Sequence, residues 1–235
     1  MAEMKHTAKI KLYSSYYDEN DKLSIKSILN LFQDVASIHA VEIGVGYLEM
    51  LDKNLYWILS RIKFDIIKMP ITHTTVLVET WPHEKGRIDF DRDFRILSED
   101  GEVLVVGVSK WCVIDTETRS LQRTDNVNYN GEIYEEKNYD DKFLKISIPT
   151  EKLQERFIHT VRFSDLDHNH HMNNTNYALL SANAAKTEKF SHFEINFLNE
   201  CLEGDEIVVS SAETEEGEFV VGKNGEKTAF AVFVR

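Results

Sequence analysis

Apolar residues fall at helical spacing along SIKSILNLFQDVASIHAVEIG (24–44), where Ile25, Ile28, Leu29, Phe32, Val35, Ala36 and His39 share one side. This predicts a helix with Ser24 as its N-cap and Gly44 as its stop. A second helix is predicted over NNTNYALLSANAAKTEKF (173–190), capped by Asn173 or Asn174, with Tyr177, Leu180, Ala184 and Ala185 on its inner face. Ahead of each helix a short alternating stretch, AKIKLYSSY (8–16) and RFIHTVRFS (156–164), reads as a strand.

Behind each helix the pattern changes to alternation, and the two stretches match. SRIKFDIIKMPITHTTVLVETW (60–81) lies over SHFEINFLNECLEGDEIVVSSA (191–212), and FRILSEDGEVLVVGVS (94–109) over FVVGKNGEKTAFAVFV (219–234), each of the latter with a Gly-containing hairpin turn. Each half therefore reads strand, helix, then antiparallel strands. An amphipathic helix followed by a meander buries its apolar stripe on that sheet. The expected class is α+β: two antiparallel sheets, each wrapped around a central helix. Residues 120–153 are polar, acidic and outside the repeat. The expected division is a first domain at 1–125, a linker at 126–153 and a second domain at 154–235.

Composition narrows the function. The formal net charge of −13 argues against a general nucleic-acid binder. Residues 1–130 carry 16 basic against 20 acidic side chains and the remainder 11 against 20, so an acidic partner meets less repulsion on the first half. The longest apolar runs, such as VLVVGV (103–108), are too short to cross a bilayer, and the N-terminus lacks the apolar core of a secretory signal. Cys112 and Cys201 form no framework, so a cytoplasmic chain with reduced thiols is expected, with no membrane partner.

The candidate chemistry is concentrated in DLDHNHHMNN (165–174). His168, His170 and His171 with Asp165 and Asp167 are metal-ligand types, but no spaced second ligand group accompanies them, and no metal or cofactor is expected. Turn-forming preference explains Asp165, His168 and His170. An acid/base reading uses alternation: on an extended backbone Asp167, Asn169 and His171 point to one side. The helix N-terminus at Asn173 and Asn174 then offers amides to an oxyanion. The corresponding connection of the first half, YYDENDKLSIKS (16–27), has no histidine.

RFSDLDHNHHMNNTNY (162–177) closely resembles the D-L-D-x-N-x-H-x-N-N-x-x-Y segment of the acyl-acyl-carrier-protein thioesterases of bacteria and plant plastids. LFQDVASIHAVEIGVG (31–46), NLYWILSRIKFDI (54–66), VETWP (78–82), the run 109–123 and Asn199-Glu200-Cys201 also resemble that family, so the likeness covers almost the whole chain. It implies a tandem hot-dog fold and hydrolysis of fatty acyl thioesters of acyl carrier protein. It places the family's catalytic roles at Asp167, Asn169, His171, Glu200 and Cys201. His170, Met172 and Asn199 depart from the family's usual Gln, Val and Arg.

Two mechanisms fit these residues. Cys201 is a nucleophile activated by His171, or Asp167 or Glu200 deprotonates a water while His171 and Asn169 hold the oxyanion. The neighbouring acids oppose a thiolate, which favours water. Cys201 as an ordinary buried strand cysteine is the competing reading. Phe32, Val35 and Ile38 are conceivable lining of an acyl pocket in the first domain, or plain core. Lys9, Lys11, Arg61, Lys63, Lys68, Arg87, Arg92 and Arg95 are candidates for a basic surface facing an acidic carrier. Other functions open to a hot-dog unit are acyl-thioester dehydration or hydration, hydrolysis of acyl-coenzyme A, and non-enzymatic sensing of acyl thioesters. Monomer and homodimer are both open.

Overall fold

The computed structural model describes residues 4–128, 133–185 and 190–235. The chain divides into two compact units, Met1–Lys142 and Phe143–Arg235. In the first, β1 (His6–Lys11), β2 (Leu55–Ile66), β3 (Thr75–Pro82), β4 (Phe90–Ser98) and β5 (Val103–Asp115) form antiparallel neighbours in the order β1-β3-β4-β5-β2. In the second, β6 (Gln154–Thr160), β7 (His192–Phe197), β8 (Glu206–Glu213), β9 (Glu218–Asn224) and β10 (Lys227–Val234) repeat that order as β6-β8-β9-β10-β7. Every strand of the second unit holds the place of its counterpart five numbers earlier. The repeat expected from pattern is therefore a repeat of topology.

Helix α1 (Ile25–Glu42) starts where expected, with the Ser24 hydroxyl accepting the Ser27 N–H, and Gly44 follows it at positive φ. A short helix α2 (Tyr47–Leu51) follows. Helix α3 covers Asn174–Ala185; residues 186–189 of the expected helix lie outside the described residues. The leading strands are shorter than alternation suggested. β1 stops at Lys11 and β6 at Thr160, and residues 14–16 and 163–165 form 3-10 turns instead. Alternation continues in sequence through these turns, but their backbone groups bond locally, Tyr17 N–H to Ser14 O and Leu166 N–H to Phe163 O.

Phe32 fills the core of the first unit, stacked on Phe94 at 4.5 Å and edge-on to Phe64 at 6.5 Å. Gly107 permits this: a Cβ there would stand 2.5 Å from Phe32 Cε2. Burial of such a ring contributes about 1.5–3 kcal/mol. Phe32 and Val35 are core residues, whereas Ile38 is 48% exposed. The second unit packs Tyr177 of α3 edge-on against Phe197 and Phe230.

Residues 133–142 are tied across the first sheet. Trp81 Nε1 donates to Glu136 O, Asn138 Nδ2 to Phe94 O and Gly107 O, and Tyr139 OH to Asp65 Oδ2. Lys63, buried on β2, is neutralised by Asp141 at 3.0 Å, as a buried charge requires. Arg92 is likewise internal, donating to His39 Nδ1 and Thr80 Oγ1. Lys63 and Arg92 are thus removed from the expected basic surface. Among the described residues no helix is long and apolar enough to cross a membrane, which says nothing of a β-barrel.

Candidate active site

The 165–174 segment is a tight turn, and the extended backbone expected for Asp167, Asn169 and His171 is not what forms. Asp167 N–H donates to His171 O at 2.9 Å, and His170 N–H to Asp167 O at 3.0 Å. The Asp167 carboxylate accepts the Asn169 N–H at 2.8 Å, an Asx turn, and His170 sits at φ 63°. Leu166 and Met172 then pair as a single antiparallel bridge. The local hydrogen bonds of Asp167 win over strand geometry.

The first unit builds the same turn. Asp18 N–H donates to Lys22 O at 2.9 Å, Asp21 N–H to Asp18 O at 3.1 Å, and Asn20 N–H to the Asp18 carboxylate at 2.9 Å. Asp21 has φ 55°, and Tyr17 bridges Leu23. Asp167 and Asn169 therefore have twins in Asp18 and Asn20, a D-x-N that aligning 14–24 on 163–173 would have found. The differences lie elsewhere: Lys22 stands where the second unit has His171, Ser24 where it has Asn173, and Ile28 where it has Tyr177.

In the second unit the turn meets the connection between β7 and β8. Met172 N–H donates to Cys201 O at 2.9 Å, and His171 Nε2 lies 3.3 Å from Glu200 Oε2. Glu200 and Cys201 thus join the turn, though in a loop and not in the strand expected. The Glu200 side chain is 37% exposed and open to water, whereas Cys201 is fully buried. In the first unit the matching amide, Leu23 N–H, faces Met69 Sδ.

Burial pushes the Cys201 thiol above its ordinary pKa; a hydrogen bond from Tyr177 opposes this and Asp205 reinforces it. The thiol is neutral at neutral pH. The Tyr177 hydroxyl accepts the Cys201 N–H at 3.0 Å, and burial raises its pKa as well, followed by the charge of Cys201.

Asn173 is the cap of α3: its Oδ1 accepts from Thr175 N–H and Oγ1. The amides of Asn173 and Asn176 donate to Asp165 O and Asn173 O. Those amides are engaged within the turn and the first turn of the helix. Two partners escaped the sequence reading. His159 Nε2 pairs with Asp165 Oδ2 at 2.9 Å, and the Tyr177 hydroxyl holds Cys201. His168 and His170 are exposed on the turn. Among the described residues no three His, Cys, Asp or Glu side chains gather as ligands of a metal ion.

Residues 3–130 match the acyl-ACP thioesterase N-terminal domain, and residues 148–229 the acyl-ACP thioesterase C-terminal domain. The chain is 31% identical to oleoyl-acyl carrier protein thioesterase 2 of Arabidopsis thaliana over 243 residues, 89% of this chain and 64% of that protein. It spans less than two thirds of the curated relatives first matched. A crystal structure of an acyl-ACP thioesterase from Bacteroides thetaiotaomicron superposes with a TM-score of 0.84 at 25% identity, covering 98% of this chain and 97% of that one. The 12:0-ACP thioesterase from Umbellularia californica, at 20% identity, shares the fold with a TM-score of 0.82 over 100% and 98% of the two chains. The two units, each of five antiparallel strands with its helix, are thus the tandem hot-dog fold, and the chain belongs to the acyl-ACP thioesterase family.

Proposed function

We propose that the protein hydrolyses the thioester joining a fatty acyl group to acyl carrier protein, releasing the free acid and the carrier thiol. The observation that carries this reading is the His171–Glu200 pair at 3.3 Å, on a corner whose twin in the first unit has lysine in place of the histidine. Family membership supplies the substrate class.

The geometry favours activated water over a cysteine nucleophile. Glu200 is exposed enough to hold a water, takes one of its protons, and leaves hydroxide to attack the thioester carbonyl carbon. The tetrahedral oxyanion is met by the Asn169 carboxamide and the helix start at Asn174. The C–S bond then breaks, and the proton returns through His171 to the departing thiolate. Asp167 shapes the turn that presents His171 and adds negative charge beside it. Cys201, buried and neutral, is a structural neighbour of this chemistry.

The first unit, which lacks the histidine corner, is assigned the acyl chain. With Lys63 and Arg92 internal, the carrier-facing surface is left to exposed cations such as Lys9, Lys11, Lys68 and Arg87. Free thiols at Cys112 and Cys201 suit a reducing cytoplasm.

Purified protein with acyl-acyl carrier protein tests the reading by its products. Free fatty acid and free carrier thiol in equal amounts are expected. An enoyl or hydroxyacyl product still bound to the carrier would indicate a dehydratase or hydratase instead. Tight binding without turnover would indicate a sensor.

A further inference from the structure

We propose that Tyr177 is a positioning residue for the reaction, acting through the backbone of Cys201 on Glu200. This rests on the hydrolytic reading above. Glu200 is the more exposed partner of the His171 pair, and exposed carboxylates wander unless their backbone is fixed. The next residue supplies that fixing at two points: Cys201 O accepts the Met172 N–H from the turn, and Cys201 N–H donates to the Tyr177 hydroxyl from α3.

The anchor is stiff. Tyr177 is 3% exposed, and its ring stands edge-on to Phe197 at 5.8 Å and to Phe230 at 5.5 Å. Packing alone does not require a hydroxyl there. The first unit has the same helix entry, and four residues after its cap Ser24 it carries Ile28, fully buried, where the second unit carries Tyr177 four residues after Asn173. The hydroxyl accompanies the corner with the histidine and is missing from the corner without it. Losing it would leave a buried N–H without a partner and release the Glu200–Cys201 segment toward solvent.

Tyr177→Phe in the full chain keeps the ring and removes the anchor. The expected result is kcat lower by about ten- to a hundredfold with KM within about twofold, because a misplaced reacting group costs rate more than binding. In a Glu200→Gln background the same change should cost less than about threefold, since the two residues act on one step. Cys201, quantified by peptide mass spectrometry, should be alkylated faster by iodoacetamide in Tyr177→Phe than in the parent. A folded Tyr177→Phe with unchanged kcat, or a loss that multiplies fully with Glu200→Gln, overturns the proposal. Should the variant fail to fold, amide exchange in the unmutated protein decides. Slow exchange of the Cys201 N–H is expected, and exchange as fast as that of Glu203 overturns the proposal. Alkylation and exchange need no turnover, so absence of hydrolysis by the parent protein defeats the functional reading without touching them.

Discussion

At the scale of single residues, charge state separates the two mechanisms. Burial holds the Cys201 pKa above its ordinary value of 9.0, so the thiolate forms only as pH rises past that value. A cysteine mechanism would therefore gain rate through and beyond pH 9, a rise that the water mechanism does not call for. We expect kcat to be flat between pH 7 and 9, and Cys201→Ala to retain measurable turnover. A pH–rate profile climbing with thiol ionisation, or a Cys201→Ala protein that binds substrate and never releases acid, would reverse the assignment. The identities of His171, Glu200 and Cys201 were legible in the sequence through the family resemblance. Tyr177 stood there as the last residue of the motif, but its bond to the Cys201 N–H was not legible, because helical periodicity registers an aromatic on an inner face only as packing. The His159–Asp165 pair was hidden for a related reason: alternation along β6 says which side a residue faces, not which turn folds back against it.

At the scale of elements, the two units serve as each other's control. Strand order, helix caps and the Asx turn are duplicated, down to a residue of positive φ at Asp21 and His170. Hydrophobic pattern revealed this duplication because each sheet must bury one helix. It misread the corner itself, since D-x-N-x-H has the period of a strand while its first side chain bonds the amide two residues on. The twin makes the roles separable. Asp18→Ala should lower Tm and leave kcat unchanged, as its carboxylate only closes a turn. Asp167→Asn keeps an oxygen for the Asn169 N–H and removes only charge. If that charge contributes beside His171, the rate falls by about 10²–10⁴-fold with Tm little changed. A normal rate for Asp167→Asn would reduce Asp167 to the role of Asp18.

At the scale of the whole molecule, a net charge of −13 confronts the proposed carrier partner, whose own charge is acidic. Sequence counting placed cations on the first half but did not show which were buried. Lys63 lies under Tyr139 and beside Asp141, and Arg92 lies against His39. With those two withdrawn, steering depends on a few exposed cations, and Lys9 and Lys68 are already paired with Glu99 and Glu102. Exposed charges are screened within about 10 Å at 0.1 M salt. We therefore expect kcat/KM on acyl-acyl carrier protein to fall with ionic strength while kcat holds; salt-independent kcat/KM would mean the carrier is recognised without steering.

Thioester hydrolysis at the His171–Glu200 corner is tested most directly by steady-state hydrolysis of acyl-acyl carrier protein by the parent protein and by Glu200→Gln. Stoichiometric release of fatty acid by the parent, reduced about 10²–10⁴-fold in kcat by Glu200→Gln with the fold intact, is the predicted result. Undiminished turnover in Glu200→Gln would contradict it.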